Sequence, residues 1–217
     1  MNSATTEPSR LVGDIGGTNT RLALFDPGDS QLRQVQSFIN RDFESLEDVI
    51  QAWMDALNEP RPESCCLAVA TPPFDDVITM LNMDWSFSVS GLARQFDFSN
   101  IRCINDFEGN AFALPHLSPQ DKVALRPGSA TDCHKLAVVG PGTGLGGATL
   151  EFCGDTPVAT ASEPGHISLG PATTEELAVF DVLLGEHSDV YAELVLSGPG
   201  LQRLYQALGK IRGENTG

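Results

Sequence analysis

The sequence lacks the features that mark membrane and secreted proteins. No uninterrupted apolar run approaches the roughly 18 residues of a transmembrane helix. The opening segment, MNSATTEPSR, is polar and has no apolar stretch of the kind found in secretory signals. We therefore expect a cytoplasmic protein with no membrane partner.

Positive charge is scarce along the chain. Lys and Arg number 13 against 29 Asp and Glu, so the 217 residues carry a net charge of −16. A field of this sign repels nucleic acid, and we expect no nucleic-acid partner. An anionic substrate would have to be held locally, by backbone N–H groups, helix N-termini or a divalent cation.

Cysteines in metal-binding arrangements are also missing. The five cysteines, at 65, 66, 103, 133 and 153, include no C-x-x-C pair. This spacing argues against a zinc site and favours reduced thiols. With 41% hydrophobic and 19% charged residues, the composition is that of an ordinary globular protein.

Periodicity along the chain predicts an α/β protein. Alternating or continuous apolar residues predict strands over 11–15, 21–25, 34–39, 66–70, 101–104, 135–139 and 148–152. Apolar residues at helical spacing, capping residues and prolines predict helices over 45–57, 106–113 and 173–184 and a last one around 201–208. A loop-like stretch over 118–133 suggests two domains, residues 1–117 and 118–217.

The segment GDIGGT, residues 13–18, forms a glycine-containing turn between two predicted strands. Gly16 and Gly17 lack a Cβ atom, so backbone N–H groups can come close to phosphate oxygens. Thr18 adds a hydroxyl donor, and Asp14 is a candidate ligand for Mg²⁺. A plain tight hairpin with no ligand explains the same segment equally well. The flanking strands and the missing G-K-[ST] ending exclude a Walker-type loop.

A second glycine-rich segment, GPGTGLGG, covers residues 140–147. Its G-x-G-x-x-G spacing raises the possibility of a dinucleotide site, which would make the protein a nicotinamide-dependent dehydrogenase. Such a loop opens a helix, whereas the following ATLEF reads as a strand. Two strand–turn–strand units in one chain favour a pair of phosphate-binding hairpins instead.

Three further segments carry polar residues suited to a polyol substrate. Asp106 follows a buried strand and begins a helix, where a carboxylate can act as a general base or, more simply, as a helix cap beside Asn105. Glu163 and His166 flank a Pro-Gly turn, and Glu193 precedes a Ser-Gly-Pro-Gly break. Each of these, taken singly, is more typical of an ordinary loop or helix residue.

The five segments GDIGGTNTRLALFD, INDFEGNAFALP, VVGPGTGLGGATL, SEPGHISLGP and AELVLSGPG, in this order, closely resemble the bacterial glucokinase family. The resemblance runs from about residue 10 to residue 208. It implies a two-domain actin-like ATPase (ribonuclease H-like) fold and the ATP-dependent phosphorylation of D-glucose at O6. It also implies ATP and Mg²⁺ as cofactors and a homodimer when full length.

Roles for individual residues follow from the same resemblance. Asp106 would be the catalytic base, and the sugar ligands would be Asn105, Asp106, Glu163, His166 and Glu193. The first phosphate site would comprise Gly13, Asp14, Ile15, Gly16, Gly17 and Thr18, with Asp14 also holding the metal. The second phosphate site would comprise Gly142, Thr143 and Gly144.

The chain departs from the family pattern in two respects. Pro164 stands where the family usually has Gly, which we expect to stiffen the sugar-binding turn. The family also continues well past residue 217, with a glycine-rich segment that contacts adenosine and a terminal helix. We therefore expect a second domain that is incomplete in this chain.

Two rival functions remain open on the sequence, a kinase for another hexose such as fructose or mannose and a non-catalytic sugar sensor. The retained Asp106 and the missing basic helix-turn-helix extension argue against the sensor. A related group of sugar kinases binds zinc through cysteines that follow the sugar-binding His. No cysteine follows Cys153 here, so that group is disfavoured.

Overall fold

The computed structural model describes residues 8–81, 83–126 and 134–214. They divide into two compact units, Met1–Gly109 and Asn110–Gly217. From the sequence we expected the division between residues 117 and 118. The predicted loop over 118–133 lies partly outside the described residues.

Unit 1 is built around a mixed sheet of five strands in the order β3-β2-β1-β4-β7. The strands are β1 (Arg10–Ile15), β2 (Asn19–Asp26), β3 (Gln31–Ile39), β4 (Ser64–Val69) and β7 (Asn100–Asn105). The first three pair antiparallel, whereas β4 lies parallel to β1 and β7 lies parallel to β4. The carboxyl ends of β1, β4 and β7 therefore meet at one edge of the sheet.

The core of unit 1 lies between this sheet and its helices. Alternate residues of the strands, such as Leu11, Leu22 and Leu67, are fully buried, as the predicted alternation requires. Helix α1 (Leu46–Asp55) buries the face that carries Trp53, and it begins at the predicted cap. There the Ser45 hydroxyl accepts a hydrogen bond from the Asp48 N–H at 3.2 Å.

Three elements of unit 1 were not predicted from the sequence. They are the short strands β5 (Val77–Thr79) and β6 (Ser86–Ser88) and the helix α2 (Val89–Phe96). A strand of three residues is too short to show alternation. Helix α2 nevertheless carries a signal at each end: Ser88 caps it, and it ends at Asp97 with φ of 60°. The passage from β7 into helix α3 (Asp106–Ala113) was predicted and is confirmed.

The described residues of unit 2 form an antiparallel sheet in the order β10-β9-β8 and three α-helices that follow it. Its elements are β8 (Lys135–Pro141), β9 (Leu145–Cys153), β10 (Thr156–Ser162), α4 (Thr174–Leu184), α5 (Ala192–Val195) and α6 (Gly198–Arg212). A small core that includes Leu183, Leu194 and Ala207 joins the helices. The predicted capping box at the start of α4 is confirmed, with Thr173 and Glu176 as its members.

Helix α6 starts earlier than its apolar pattern indicated, because the buried Ser197 caps it through the Gly200 N–H at 3.0 Å. Strand β10 was missed because its residues are mostly exposed and therefore show no apolar alternation. Within 8–81, 83–126 and 134–214, no helix combines the length and the apolar character that crossing a bilayer requires.

The core of unit 1 can be tested at Leu67, which is fully buried. Leu67→Ala removes packed methyl groups and leaves a cavity, which costs about 2–5 kcal/mol of unfolding free energy. Trp53 and Trp85, the two tryptophans of the chain, lie in the same core, so their fluorescence during urea unfolding reports on this unit. We expect a clearly lower midpoint for Leu67→Ala.

Leu32→Ala is the matched control, since that side chain is 56% exposed. We expect it to change the unfolding free energy by no more than about 0.5 kcal/mol. Equal midpoints for the two variants would show that Leu67 does not belong to the core.

Candidate active site

The first glycine turn joins β1 to β2 in unit 1 and is fixed from outside by Asn40. The Gly16 N–H donates to the Asn19 carbonyl at 3.0 Å, which closes the turn. The Asn40 side chain donates to the Gly16 carbonyl at 2.8 Å, and its backbone N–H donates to the Thr18 carbonyl at 3.0 Å. The tip at Gly17 and Thr18 stays exposed. The turn is thus rigid at its base and open at its tip.

Asn40 is itself locked in place. Its side chain is almost fully buried, with 5% exposed, and its carbonyl oxygen accepts a hydrogen bond from the Thr20 hydroxyl at 2.9 Å. Sequence reasoning missed Asn40, because it lies beyond β3 and forms no part of the glycine motif. No pattern in the sequence would have found it.

Residues at the start of the motif divide between core and surface. A Cβ atom on Gly13 would lie 2.8 Å from side-chain atoms of Leu22 and Leu67, so Gly13 is part of the packing of the core. Ile15 is fully buried, and only its backbone can reach a ligand. Asp14 is exposed and lies 3.7 Å from the Arg21 guanidinium on β2.

Asn105 and Asp106 lie where β7 passes into α3. The Phe107 N–H donates to the Asn105 side-chain oxygen at 3.0 Å and to the Asp106 carboxylate at 2.9 Å. The Asn105 N–H in turn donates to the Glu108 carboxylate at 3.0 Å. Both residues therefore contribute to the helix start, as their role as caps predicted. Glu108 was missed, although the spacing Asn-x-x-Glu resembles a capping box.

The environment of Asp106 raises the pKa of its carboxyl group above the usual range. Partial burial is the main cause, since it penalises the charged form. The hydrogen bond from the Phe107 N–H opposes this, and the negative charge of Asp14 raises the pKa further. A carboxylate with a raised pKa is a stronger base than a solvated one. The charge of Asp14 therefore acts on the group that we predict to be the catalytic base.

The second glycine turn joins β8 to β9 in unit 2. The Gly142 N–H donates to the Gly144 carbonyl at 2.8 Å, and the Gly142 carbonyl accepts from the Gly198 N–H at 2.8 Å. The Leu145 N–H donates to the Glu193 carboxylate at 2.8 Å. The chain continues after the turn as a strand, which confirms that this segment is not a dinucleotide-binding loop.

Glu163 and His166 bound a short helical turn over Pro164–His166, and both side chains are exposed. The His166 ring lies edge-on to Tyr191, with ring centroids 6.4 Å apart. Pro164 packs against β9, since a Cβ on Gly147 would lie 2.8 Å from its ring. The Glu193 carboxylate lies against Gly165 of this turn. Unit 2 therefore places the short turn that follows Glu163 and ends at His166 against Glu193, and Glu193 bonds to the residue directly after the second glycine turn.

An apolar depression of about 560 Å³ adjoins the second glycine turn. It is lined by Val139, Pro141, Gly142, Leu145, Leu196, Ser197, Gly198 and Leu201. Its wall therefore includes both the turn and the N-terminus of α6. In a ligand that joins a flat ring to a phosphate, the ring could pack in the apolar depression. The phosphate could then lie at the glycine turn or at the N-terminus of α6.

The three cysteine thiols of unit 1 have raised pKa values, which disfavour the reactive thiolate form. Burial raises the pKa of the Cys103 thiol to about 12 and also raises those of Cys65 and Cys66. Cys65, Cys66, Cys103 and Cys153 are free thiols, and Cys133 lies outside the described residues. Over the described part of the chain, no cluster of three or more His, Cys, Asp or Glu is arranged to hold a metal ion. A fully protein-bound metal is therefore not supported by these residues.

Comparisons with known proteins identify the family of the chain. A family model described as glucokinase matches residues 11–216. The glucokinase of Saccharophagus degradans is 38% identical over 207 residues, which are 94% of this chain and 64% of that protein. A crystal structure of glucokinase from an Antarctic psychrotroph superposes with a TM-score of 0.86 at 35% identity, covering 97% of this chain and 67% of the other.

A second solved structure, the glucokinase of Balamuthia mandrillaris in complex with glucose, matches with a TM-score of 0.63 at 26% identity. It covers 99% of this chain and 66% of the other chain. The two units have the α/β architecture of the actin-like ATPase fold shared by these sugar kinases. The chain belongs to the glucokinase family, and it spans 64% of the length of the Saccharophagus relative.

The coupling between Asp14 and Asp106 gives a direct test by titration. Asp14→Asn removes a negative charge that disfavours ionisation of Asp106, so we expect the pKa of Asp106 to fall. Carboxyl carbon chemical shifts followed by NMR in metal-free buffer would measure it. Asp29→Asn, an exposed change in the β2–β3 turn, is the control and should leave that pKa where it is. An unchanged or raised pKa in Asp14→Asn would contradict the described electrostatics.

Proposed function

We propose that the protein carrying this chain is a glucokinase, which transfers the γ-phosphoryl group of ATP to O6 of D-glucose. The observation that carries the proposal is the placement of Asp106. Its carboxyl group is partly buried, has a raised pKa and is influenced by Asp14, which lies in the first glycine motif. Membership of the glucokinase family supports the same reaction. The cytoplasmic location and the homodimer stay predictions.

Asp106 acts in this proposal as the general base. The hydrogen bond from the Phe107 N–H fixes the carboxylate at the start of α3. A carboxylate fixed in this way can accept the proton of the 6-hydroxyl as its oxygen attacks the phosphorus atom. Asn105, whose side-chain oxygen is engaged by the same N–H, keeps its amide group for a sugar hydroxyl.

The first glycine turn binds phosphate oxygens in this reaction. Its tip at Gly17 and Thr18 is exposed, and Asn40 holds its base. The fixed base lets backbone N–H groups meet an anion without first having to become ordered. Such contacts suit a chain with a net charge of −16, since they need no basic side chain.

Asp14 is the residue that would hold Mg²⁺. Its exposed carboxylate fits the ion, because Mg²⁺ bound to nucleotide phosphates commonly uses one or two protein carboxylates and several waters. When bound, the ion neutralises part of the charge that develops on the phosphoryl group. The Arg21 guanidinium at 3.7 Å keeps the Asp14 carboxylate near the turn.

Unit 2 supplies the second phosphate site and further sugar ligands in our proposal. Gly142, Thr143 and Gly144 form the turn, and the adjoining apolar depression suits an adenine ring. Glu163 and His166, which are exposed on one short turn, can bond to neighbouring hydroxyl groups. The complex of the Balamuthia glucokinase with glucose supports the choice of glucose as the sugar.

Replacing the base tests the mechanism. Asp106→Asn keeps the shape of the side chain but removes its basicity, so we expect glucose affinity to stay close to that of the wild type. Loss of general-base assistance should lower kcat by at least about 10²-fold. A coupled assay for ADP, together with calorimetric glucose binding, would measure both quantities.

Asp97→Asn is the matched control for this experiment. Asp97 is exposed at the end of α2 with φ of 60°, a conformation in which Asn is well tolerated. We expect unchanged turnover in this variant. If Asp106→Asn kept more than about a tenth of wild-type turnover, the assignment of Asp106 as general base would be wrong.

Sugar preference tests the other half of the proposal. A polar side chain that sugar binding removes from water costs about 1–3 kcal/mol when an epimer leaves it unpaired. We therefore expect glucose to bind about 5- to 150-fold more tightly than mannose, fructose or galactose in competition experiments. Tighter binding of another hexose would refute the glucose assignment while leaving phosphoryl transfer in place.

A further inference from the structure

Glu193 has a partner that a plain sugar ligand does not need. Its carboxylate oxygen Oε2 accepts a hydrogen bond from the Leu145 N–H at 2.8 Å, across 48 positions of sequence. Leu145 is the first residue of β9, directly after the second glycine turn. At the other end of the turn, the Gly142 carbonyl accepts from the Gly198 N–H. The segment from α5 to the start of α6 therefore holds the turn at both ends.

Two glycines make room for this carboxylate. A Cβ atom on Gly144 would lie 2.6 Å from Glu193 Oε2, closer than such contacts occur in proteins. A Cβ on Gly165 would lie 3.1 Å from the same oxygen and 2.8 Å from the Leu145 carbonyl. Gly144 belongs to the phosphate-binding turn and Gly165 to the turn that carries His166. The carboxylate thus occupies the point where these two turns meet.

We infer that Glu193 is a positioning residue that couples the sugar-binding turn to the second phosphate-binding turn. The inference rests on the proposed function, in which a hexose and a nucleotide occupy these two turns. A sugar hydroxyl that donates to the carboxylate restricts its rotation, and the restricted carboxylate holds the Leu145 N–H more firmly. The glycine turn then becomes better ordered for phosphate. By linkage, a bound nucleotide tightens sugar binding by the same factor.

The coupling makes a distinct prediction for two substitutions at one position. Glu193→Gln keeps an oxygen that can accept from the Leu145 N–H but loses the charge that attracts a sugar hydroxyl. Glu193→Ala removes both contacts. We therefore expect Gln to weaken glucose binding with nearly normal nucleotide binding, whereas Ala weakens both. A hydrogen bond to a charged group is worth about 1.5–3 kcal/mol. We therefore expect Glu193→Ala to weaken the binding of each ligand by about 10-fold or more.

Gly144→Ala tests the geometry from the other side. Its new methyl group would displace the Glu193 carboxylate, so this single substitution should also weaken binding of both ligands. In the double variant Gly144→Ala with Glu193→Ala the clash is gone. We expect its nucleotide affinity to equal that of Glu193→Ala alone, a non-additive result that indicates direct contact. Gly170→Ala is the matched control, since nothing lies within 4 Å of its Cβ position.

The experiment is a set of binding isotherms for glucose and for AMPPNP with Mg²⁺, each measured with and without the other ligand. AMPPNP is an ATP analogue that resists transfer of its terminal phosphoryl group, so the ligands bind without being consumed. Exchange of the Leu145 amide hydrogen, followed by NMR, supplies a readout that needs no turnover. In the wild type, glucose should slow this exchange and tighten nucleotide binding. Both effects should disappear in Glu193→Ala, and thermal unfolding would serve to check that this variant is folded.

Nucleotide affinity that is the same in the wild type and in Glu193→Ala, with and without glucose, would overturn the inference and leave Glu193 a sugar ligand only. The proposed function would be refuted by a separate observation. A wild-type protein that binds both ligands but phosphorylates no hexose would do so, and the coupling between the two ligands would still be measured.

Discussion

A turn made of glycines cannot hold its own shape, and both glycine turns of this protein are held from outside. Glycine loses more backbone entropy on ordering than any other residue, so an unsupported turn would be costly to fix around an anion. In unit 1 the buried side chain of Asn40 bonds to the turn. In unit 2 Glu193 and the start of α6 do so. The proposed binding of phosphate depends on these supports.

The strong negative charge of the chain explains why backbone groups matter so much. With 13 basic residues against 29 acidic ones, few cations are available to attract a nucleotide. Fixed N–H groups and a bound cation can replace them, because neither requires a basic side chain. The same charge contributes to catalysis in our account, since Asp14 helps to raise the pKa of Asp106. In this proposal Asp14 would hold the metal ion and Asp106 would act as the base.

Much of the fold could be predicted because its elements have strong periodicity. Strand β2 was predicted from alternating faces, β4 and β7 from short apolar runs, and α1 from its single apolar face. Strand β10 could not be predicted, since its residues are mostly exposed and show no apolar alternation. Strands β5 and β6 could not be predicted either, because three residues are too few to show a period. Local chemistry also predicted the caps at Ser45 and Thr173 correctly.

The candidate site was predictable only where its residues lie within motifs. The glycine turns and Asp106 stand in recognisable segments, whereas Asn40 has no local signature at all. Glu193 was predicted as a sugar ligand, a role that stays a prediction. Its bond to Leu145 spans 48 positions and depends on where the fold places α5, which the sequence pattern does not encode. Contacts of this kind need the folded structure.

Phosphoryl transfer itself is the most direct test of the central claim. The protein carrying this chain would be incubated with ATP, Mg²⁺ and glucose, and the reaction followed by phosphorus NMR. The account predicts that ADP and glucose 6-phosphate form in equal amounts and that removal of Mg²⁺ stops the reaction. Release of inorganic phosphate without any sugar phosphate, or a sugar phosphate substituted at another hydroxyl, would contradict it.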